Sequence, residues 1–212
     1  MTAGPRLDPN PEFSRLASDE RIAAAVAALN AHGFVTIVVE TGEEARAKVL
    51  AMLPAGAEVF TSLSRTLETI GLDAEINQSG RYDAIRPKLA RFDRKTQRRE
   101  MKKAAAAPDY VVGSVHAITA DGQILAASGS GSQLGHFAYE GGNVILVAGT
   151  QKLVADIADG LRRIEEYSLP LENQRMIERF GFPSILAKIL IIRRETIEGR
   201  TTVVLVKENV GF

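Results

Sequence analysis

The chain has 212 residues, 45% of them hydrophobic and 25% charged, which suits one globular domain with a sizeable core and excludes a disordered, collagen-like or repeat-array protein. It has no cysteine, which excludes disulfide scaffolds, thiolate metal sites, Cys-held iron–sulfur clusters and thiol nucleophiles, so any redox chemistry would need a soluble cofactor or a partner protein. Lys plus Arg and Asp plus Glu balance at 26 each, so no global field points to nucleic acid or to an acidic surface.

In chain order, Met1–Asn10 lacks the basic start and apolar core of a signal peptide, and no apolar run approaches the roughly 20 residues that span a bilayer, so a cytoplasmic protein without a membrane partner is expected. Pro5, Pro9 and Pro11 lie among polar residues, and residues 1–17 are read as a flexible arm ahead of a single α/β domain over 18–212. Ile22, Val26 and Leu29 recur at helical spacing and stop at Gly33. A β-branched run over Phe34–Val39 predicts a strand, and Thr41 with Glu44 predicts a capping box opening a helix that ends before Pro54.

The strand–helix unit repeats with Ala57–Phe60, the polar turn Thr61–Ser64, and a stripe beginning at Leu67 and Ile70. Ten Lys or Arg against three acids (Asp83, Asp93, Glu100) fill Arg81–Lys103, read as a solvated helix face rather than a nucleic-acid surface because aromatic interleaving is limited to Tyr82 and Phe92. Strands are predicted at Tyr110–Val112, His116–Thr119 and Ile124–Ala127, the last two joined by the hairpin signal Asp121-Gly122. A short helix around Leu134 and Phe137, a strand at Val144–Val147, and helices carrying Val154–Ile164 and Met176–Ile177 follow. Ile189–Ile192 and Thr202–Val206, only about eight residues apart, predict a C-terminal antiparallel hairpin. The fold class is α/β: a Rossmann-like, parallel-rich mixed sheet with helices on both faces.

Chemistry is expected at strand C-termini. Gly129, Ser130, Gly131, Ser132 and Gln133 stand between a predicted strand and a helix, where glycines admit close backbone approach and hydroxyls and a helix N-terminus offer donors to a small anionic metabolite; the alternative is a tight turn that caps the helix. Ser62, Ser64 and Thr66 repeat that grammar, with helix capping as the alternative, and Lys152 ends a third strand where it would neutralise an anion or lie on the surface. Of three histidines, His32 suits a helix C-terminus, while His116 and His136 are candidates to move a proton near neutral pH, His116 as the catalytic residue. There is no P-loop, no followed-through Gly-x-Ser-x-Gly elbow and no His-x-x-x-His metal spacing, so no metal site is expected.

Pro54-Ala55-Gly56, Ser62–Gly71, His116–Gly122, Gly129–Gly135, Val144–Lys152 and Lys188–Gly211 fall in an order that resembles the LUD-domain family of lactate-utilisation proteins, over about Ser18–Phe212. The resemblance implies a fold similar to sugar-phosphate isomerases, CoA transferases and 5-formyltetrahydrofolate cyclo-ligase. His116 falls near where some of those isomerases place an acidic proton-transfer residue. The resemblance also implies a role in L-lactate or related organic-acid utilisation beside an iron–sulfur protein partner, this chain being of the cluster-free subunit type. Two further readings stand beside anion binding: a non-catalytic accessory subunit docking that partner, and an independent transferase or isomerase acting on a CoA thioester or sugar phosphate. A homodimer is expected only as the commonest oligomer.

Overall fold

The computed structural model describes residues 8–212. α1 (Asp19–Ala31) leads into β1 (Val35–Val39), α2 (Gly42–Met52) into β2 (Glu58–Thr61), and α3 (Arg65–Thr69) and α4 (Leu72–Gln78) into the two-residue β3 (Asp83–Ala84). α5 (Ile85–Leu89) and α6 (Arg98–Ala105) precede β4 (Tyr110–Gly113), β5 (Ala117–Thr119), β6 (Ile124–Ser128) and β7 (Asn143–Gly149). β8 (Leu153–Val154), α7 (Ile157–Arg163), α8 (Leu169–Phe180), β9 (Lys188–Ile192) and β10 (Thr201–Val206) complete the chain.

The local causes are those the sequence advertises. Ser18 caps α1 by accepting the Arg21 N–H, and the helix is followed by Gly33 at φ +85°, where a Cβ would lie 2.3 Å from the Glu195 carbonyl oxygen. Thr41 Oγ1 accepts the Glu44 N–H at 3.2 Å; the reciprocal bond of the capping box runs one residue further back, from the Glu40 N–H to Glu44 Oε2 at 3.0 Å.

Six strands pair in the order β1-β10-β7-β4-β2-β3, all parallel. Successive residues of the central strands enter opposite cores: Val111, Leu146, Val203 and Leu205 pack on one face with Leu29 and Phe60, whereas Val112, Val147, Val204 and Val206 pack on the other with Val49, Leu67 and Ile76. Burial on both faces explains the unbroken apolar runs. A second sheet, β8-β5-β6-β9, pairs β6 antiparallel with β5 and β9 and lays Ile118, Ile124 and Ala126 against the first core. Its other side, Ala117, Leu125 and Ala127, receives Ile164 and Tyr167.

The expected C-terminal hairpin is not formed. β9 is the edge of the second sheet, antiparallel to β6, and β10 is inserted between β1 and β7 of the first. Burial decides the matter: Val203–Val206 are each 0% exposed, worth roughly 6–12 kcal/mol over exposure for four aliphatic side chains, while Ile189 and Ile191 of β9 stay more than a third exposed. The connection is short because it switches sheets instead of making a crossover within one. It is pinned by a buried ion pair, Arg200 Nη1 to Glu195 Oε2 at 2.9 Å, with Arg200 also donating to the Gly141, Phe137 and His136 carbonyls.

The expected flexible arm is docked over its described part. Pro11–Ser14 forms a 3-10 turn capped by Asn10, Phe13 enters the cluster with Ile164 and Tyr167, and the Asn10 amide donates to Glu166 Oε2 at 2.9 Å. Residues 1–7 lie outside the described residues. Among the described residues no helix is long and apolar enough to cross a membrane.

Candidate functional site

The C-terminal ends of β2 and β4, the turn after β6, and α8 enclose a cleft of about 720 Å³, a volume that suits a ligand of drug or cofactor size. Hydroxyls line it from every side: Ser62 and Ser64 after β2, Ser114 after β4, Ser128, Ser130 and Ser132 on the β6 turn, and Ser168 and Ser184 beside α8. Five arginines share the lining, Arg65, Arg86, Arg94, Arg175 and Arg179, with Glu172 as the one acidic side chain among the described lining residues.

The arginines differ in what holds them. Arg175 is clamped by Glu172 at 2.8 Å and reaches Glu68 at 3.5 Å, and Arg65 also meets Glu68, which ties α8 to α3. Arg86 on α5 is fixed by Thr61 at the end of β2, donating to the Thr61 carbonyl from Nε and Nη2 at 3.1 and 2.6 Å, while Thr61 Oγ1 accepts from Asn77 at 2.9 Å. Burial lowers the Arg86 pKa, Asp73 opposes the shift, and Arg94 adds like-charge repulsion. No carboxylate among the described residues lies within ion-pair distance of Arg86, Arg94 or Arg179.

Beneath the cleft lie two more basic side chains. Lys152 is 1% exposed and Arg163 0%, and neither meets a carboxylate. Lys152 Nζ contacts Thr66 Oγ1 at 2.9 Å and Ser114 Oγ at 3.0 Å; Thr66 Oγ1 in turn donates to the Val210 carbonyl at 3.1 Å. Arg163 donates to the Gln151 and His116 carbonyls and to Ser168 Oγ, leaving Nη2 buried without a partner. Burial, and then the Arg163 charge, hold the Lys152 pKa well below the ordinary lysine value; burial pushes that of Arg163 down to about 10.

His116 lies on the cleft wall with Nδ1 accepting the Ala127 N–H at 3.0 Å, so a neutral ring carries its proton on Nε2. Burial, with the Lys152 and Arg163 charges behind it, pushes its pKa down to about 3. The residue expected to move protons near neutral pH is therefore a fixed neutral donor there. His136 does not line the cleft: it packs on Phe60 with ring centroids 4.1 Å apart and sets Nδ1 2.8 Å from Glu140 Oε2.

Of the residues singled out in the sequence, Ser62, Ser64, His116, Gly129, Ser130, Ser132 and Gln133 share the cleft wall. Thr66 and Lys152 stand one layer behind, through Ser114, and Gly131 at φ +84° turns the chain rather than lining the cleft. Ser64 is also the cap of α3, accepting the Leu67 N–H. The glycine–serine turn leads into the expected short helix, which takes the form of a five-residue π-helical turn over His136–Glu140. Its hydroxyls bond within the turn, Ser128 Oγ accepting the Gly131 N–H at 2.8 Å, with Ser130 and Ser132 paired at 3.2 Å.

Sequence reasoning missed Ser114, Arg163 and the arginines. Arg86 and Arg94 belong to the basic stretch expected to be a solvated face, yet both line the cleft. A signal for Arg163 was present: Gly160, where a Cβ would come within 2.8 Å of Leu125, brings α7 close to β6, and Arg163 one turn on shares that inward face.

Parallel β-strands ending on a cationic, hydroxyl-rich cleft define an α/β protein with its main cleft at the strand C-termini. The LUD domain family matches residues 22–206, and the chain belongs to that family, which places it with lactate-utilisation-related proteins in general. No curated relative matches it. Among solved structures it is similar to a DUF162 family protein from Deinococcus radiodurans, with 14% identity, 91% of this chain and 99% of that one covered, and a TM-score of 0.49. It is also similar to eIF2B beta from Chaetomium thermophilum, with 12% identity, coverage of 69% and 60%, and a TM-score of 0.33.

Proposed function

We propose that the cleft binds an anionic metabolite in the utilisation of lactate or a related organic acid. The observation that carries this reading is the charge imbalance of the lining: Glu68 and Glu172 meet Arg65 and Arg175, whereas Arg86, Arg94 and Arg179 have no carboxylate among the described residues within ion-pair distance, and Asp73 offsets the Arg86 charge only from further away. Like charges converging beside a low-dielectric wall are costly until an anion arrives, and guanidinium forks match carboxylate and phosphate oxygens. The serine hydroxyls and His116 Nε2–H supply uncharged donors for the rest of the ligand. The 720 Å³ volume leaves room for an anion larger than a three-carbon acid.

The test is a thermal-shift series on the whole chain with inorganic phosphate, lactate, pyruvate and larger phosphorylated acids, beside Arg86→Met and Arg94→Met. A ligand at 100 times its Kd stabilises by about 2.7 kcal/mol, which raises Tm by roughly 5–11 °C at this chain length. The reading expects such a shift, strongest for the larger anions and reduced in both variants. No shift with any anion, or an equal shift in both variants, overturns it.

A further inference from the structure

The geometry points to a second property of this cleft: Ser114 and Lys152 form a serine–lysine dyad, with Ser114 Oγ the nucleophile toward an ester or thioester whose alcohol or thiol portion is anionic. The half-buried Ser114 hydroxyl lines the cleft, and Lys152 Nζ lies 3.0 Å behind it. Thr66 Oγ1, 2.9 Å from Nζ, orients the amine, and Thr66 is itself fixed by its bond to the Val210 carbonyl. A nucleophile within hydrogen-bond reach of a base that a third group orients is the arrangement activated hydroxyls require. Only a neutral amine can take a proton, and a lysine buried beside Arg163 with no carboxylate near it is driven toward that form. The hydrogen bonds then run in one direction, Ser114 O–H to Nζ, Nζ–H to Thr66 Oγ1, and Thr66 O–H to the Val210 carbonyl. His116, two positions beyond Ser114 on the same wall, presents Nε2–H as a fixed neutral donor to a developing oxyanion.

The step balances without a cofactor. Ser114 Oγ bonds to the acyl carbon as its proton passes to Nζ; the bond to the leaving oxygen or sulfur breaks, and that atom takes the proton from Nζ. Water then attacks the acyl-serine and delivers a proton through Nζ to Ser114 Oγ, releasing the acid. The anionic leaving portion rests on Arg86 and Arg94, so the substrate class depends on the anion-binding reading above, whereas the dyad is tested separately from it.

The experiment is labelling of the full chain with a fluorophosphonate, read by peptide mass spectrometry between about pH 6 and 10. The expected result is one adduct on Ser114, forming faster as pH rises and levelling off below the ordinary lysine range. Ser114→Ala abolishes it, Lys152→Met slows it at least about 100-fold, and Thr66→Val slows it about 10-fold with the plateau displaced. A melting curve for each variant establishes that it is folded, and the pH profile of the unaltered chain stands whether or not a variant folds. An unlabelled Ser114 throughout, or an unchanged rate in folded Lys152→Met, overturns the dyad. A phosphate-induced rise in Tm of the unaltered chain, measured in parallel, shows whether the anion site survives that failure.

Discussion

Lys152→Met should make the ligand-free protein more stable. Lys152 is buried away from every carboxylate and shares its surroundings with Arg163, so the native state keeps it either charged and desolvated or neutral. The second choice caps the penalty: deprotonating a lysine of ordinary pKa 10.5 at pH 7 costs about 5 kcal/mol, and the protein adopts whichever state costs less. Against this stand the contacts with Thr66 and Ser114, each worth about 1 kcal/mol net, and both hydroxyls retain a partner when the amine goes because they bond to each other at 3.1 Å. Met fills nearly the same volume. The net expectation is a gain of about 2 kcal/mol at pH 7, or roughly 4–8 °C in Tm. The sign with pH follows from the lowered native pKa: the unfolded chain binds the extra proton, so wild-type stability rises as pH climbs from the native value toward 10.5, and the variant's does not. Denaturant unfolding at pH 7 and pH 10 should therefore show the two proteins converging. A variant less stable than wild type by 1 kcal/mol at pH 7, with no convergence at pH 10, would refute the reasoning and mean that the charge is compensated.

Three further outcomes are expected. His116 is held neutral with its pKa near 3 against 6.5 unfolded, so native stability falls as pH drops through that window, by up to about 5 kcal/mol at its acid end; His116→Asn should flatten that limb of a stability–pH curve. Glu195→Ala strands Arg200 in the interior and should cost about 3 kcal/mol by denaturant unfolding, whereas a cost under 1 kcal/mol would mean that the carbonyls of His136, Phe137 and Gly141 suffice for it. Phe13→Ala should cost about 3 kcal/mol and open Pro11–Ser14 to limited proteolysis; an unchanged melting curve would show that the arm's docking does not couple to the core.

The sequence showed much of the fold because periodicity and capping are local. The unbroken run at Val144–Val147 announced a buried strand and Thr202–Val206 a second strand, and Asp121-Gly122 announced the β5–β6 turn, with Gly122 at φ +80°. Pairing partners were not local. Lys188–Ile192 and Thr202–Val206 satisfy a hairpin spacing, and only the greater burial open to Val203–Val206 in the parallel sheet sends them to different sheets. The docked arm was hidden for a similar reason: one aromatic residue, Phe13, carries it, and a single apolar residue has no period. At the site, the serines were legible as strand-end hydroxyls. The arginines were not, because Arg86 and Arg94 sit in a run where ten basic residues look alike and only the fold turns two of them inward. Ser114 stands between Gly113 and Val115 with no neighbouring polar pattern; its significance comes entirely from Lys152, which arrives 38 residues later in the 3-10 turn after β7.

The cleft's mobile wall should be α8. Of its 12 residues only Pro170 is buried, and its described polar ties to α3 run through Arg175 and Glu68, a long contact at 3.5 Å. A part-buried ion pair of this length adds on the order of 1 kcal/mol or less, so beyond Pro170 and the packing of Leu171 little holds the C-terminal half of the helix when the cleft holds no ligand. Arg179 and Met176 line the cleft from α8, and Arg86 and Arg94 line it from α5 and the segment after it. An anion bound between these arginines would add charge-assisted bonds to both walls, each worth about 1.5–3 kcal/mol. Amide exchange over residues 172–180 should therefore slow about 10-fold or more on saturation with an anion that raises Tm, and Arg179→Met should remove most of that protection while leaving exchange in β7 and β10 unchanged. If Tm rises while exchange in α8 stays as fast as before, the ligand is held by the sheet side alone and α8 is not part of its grip.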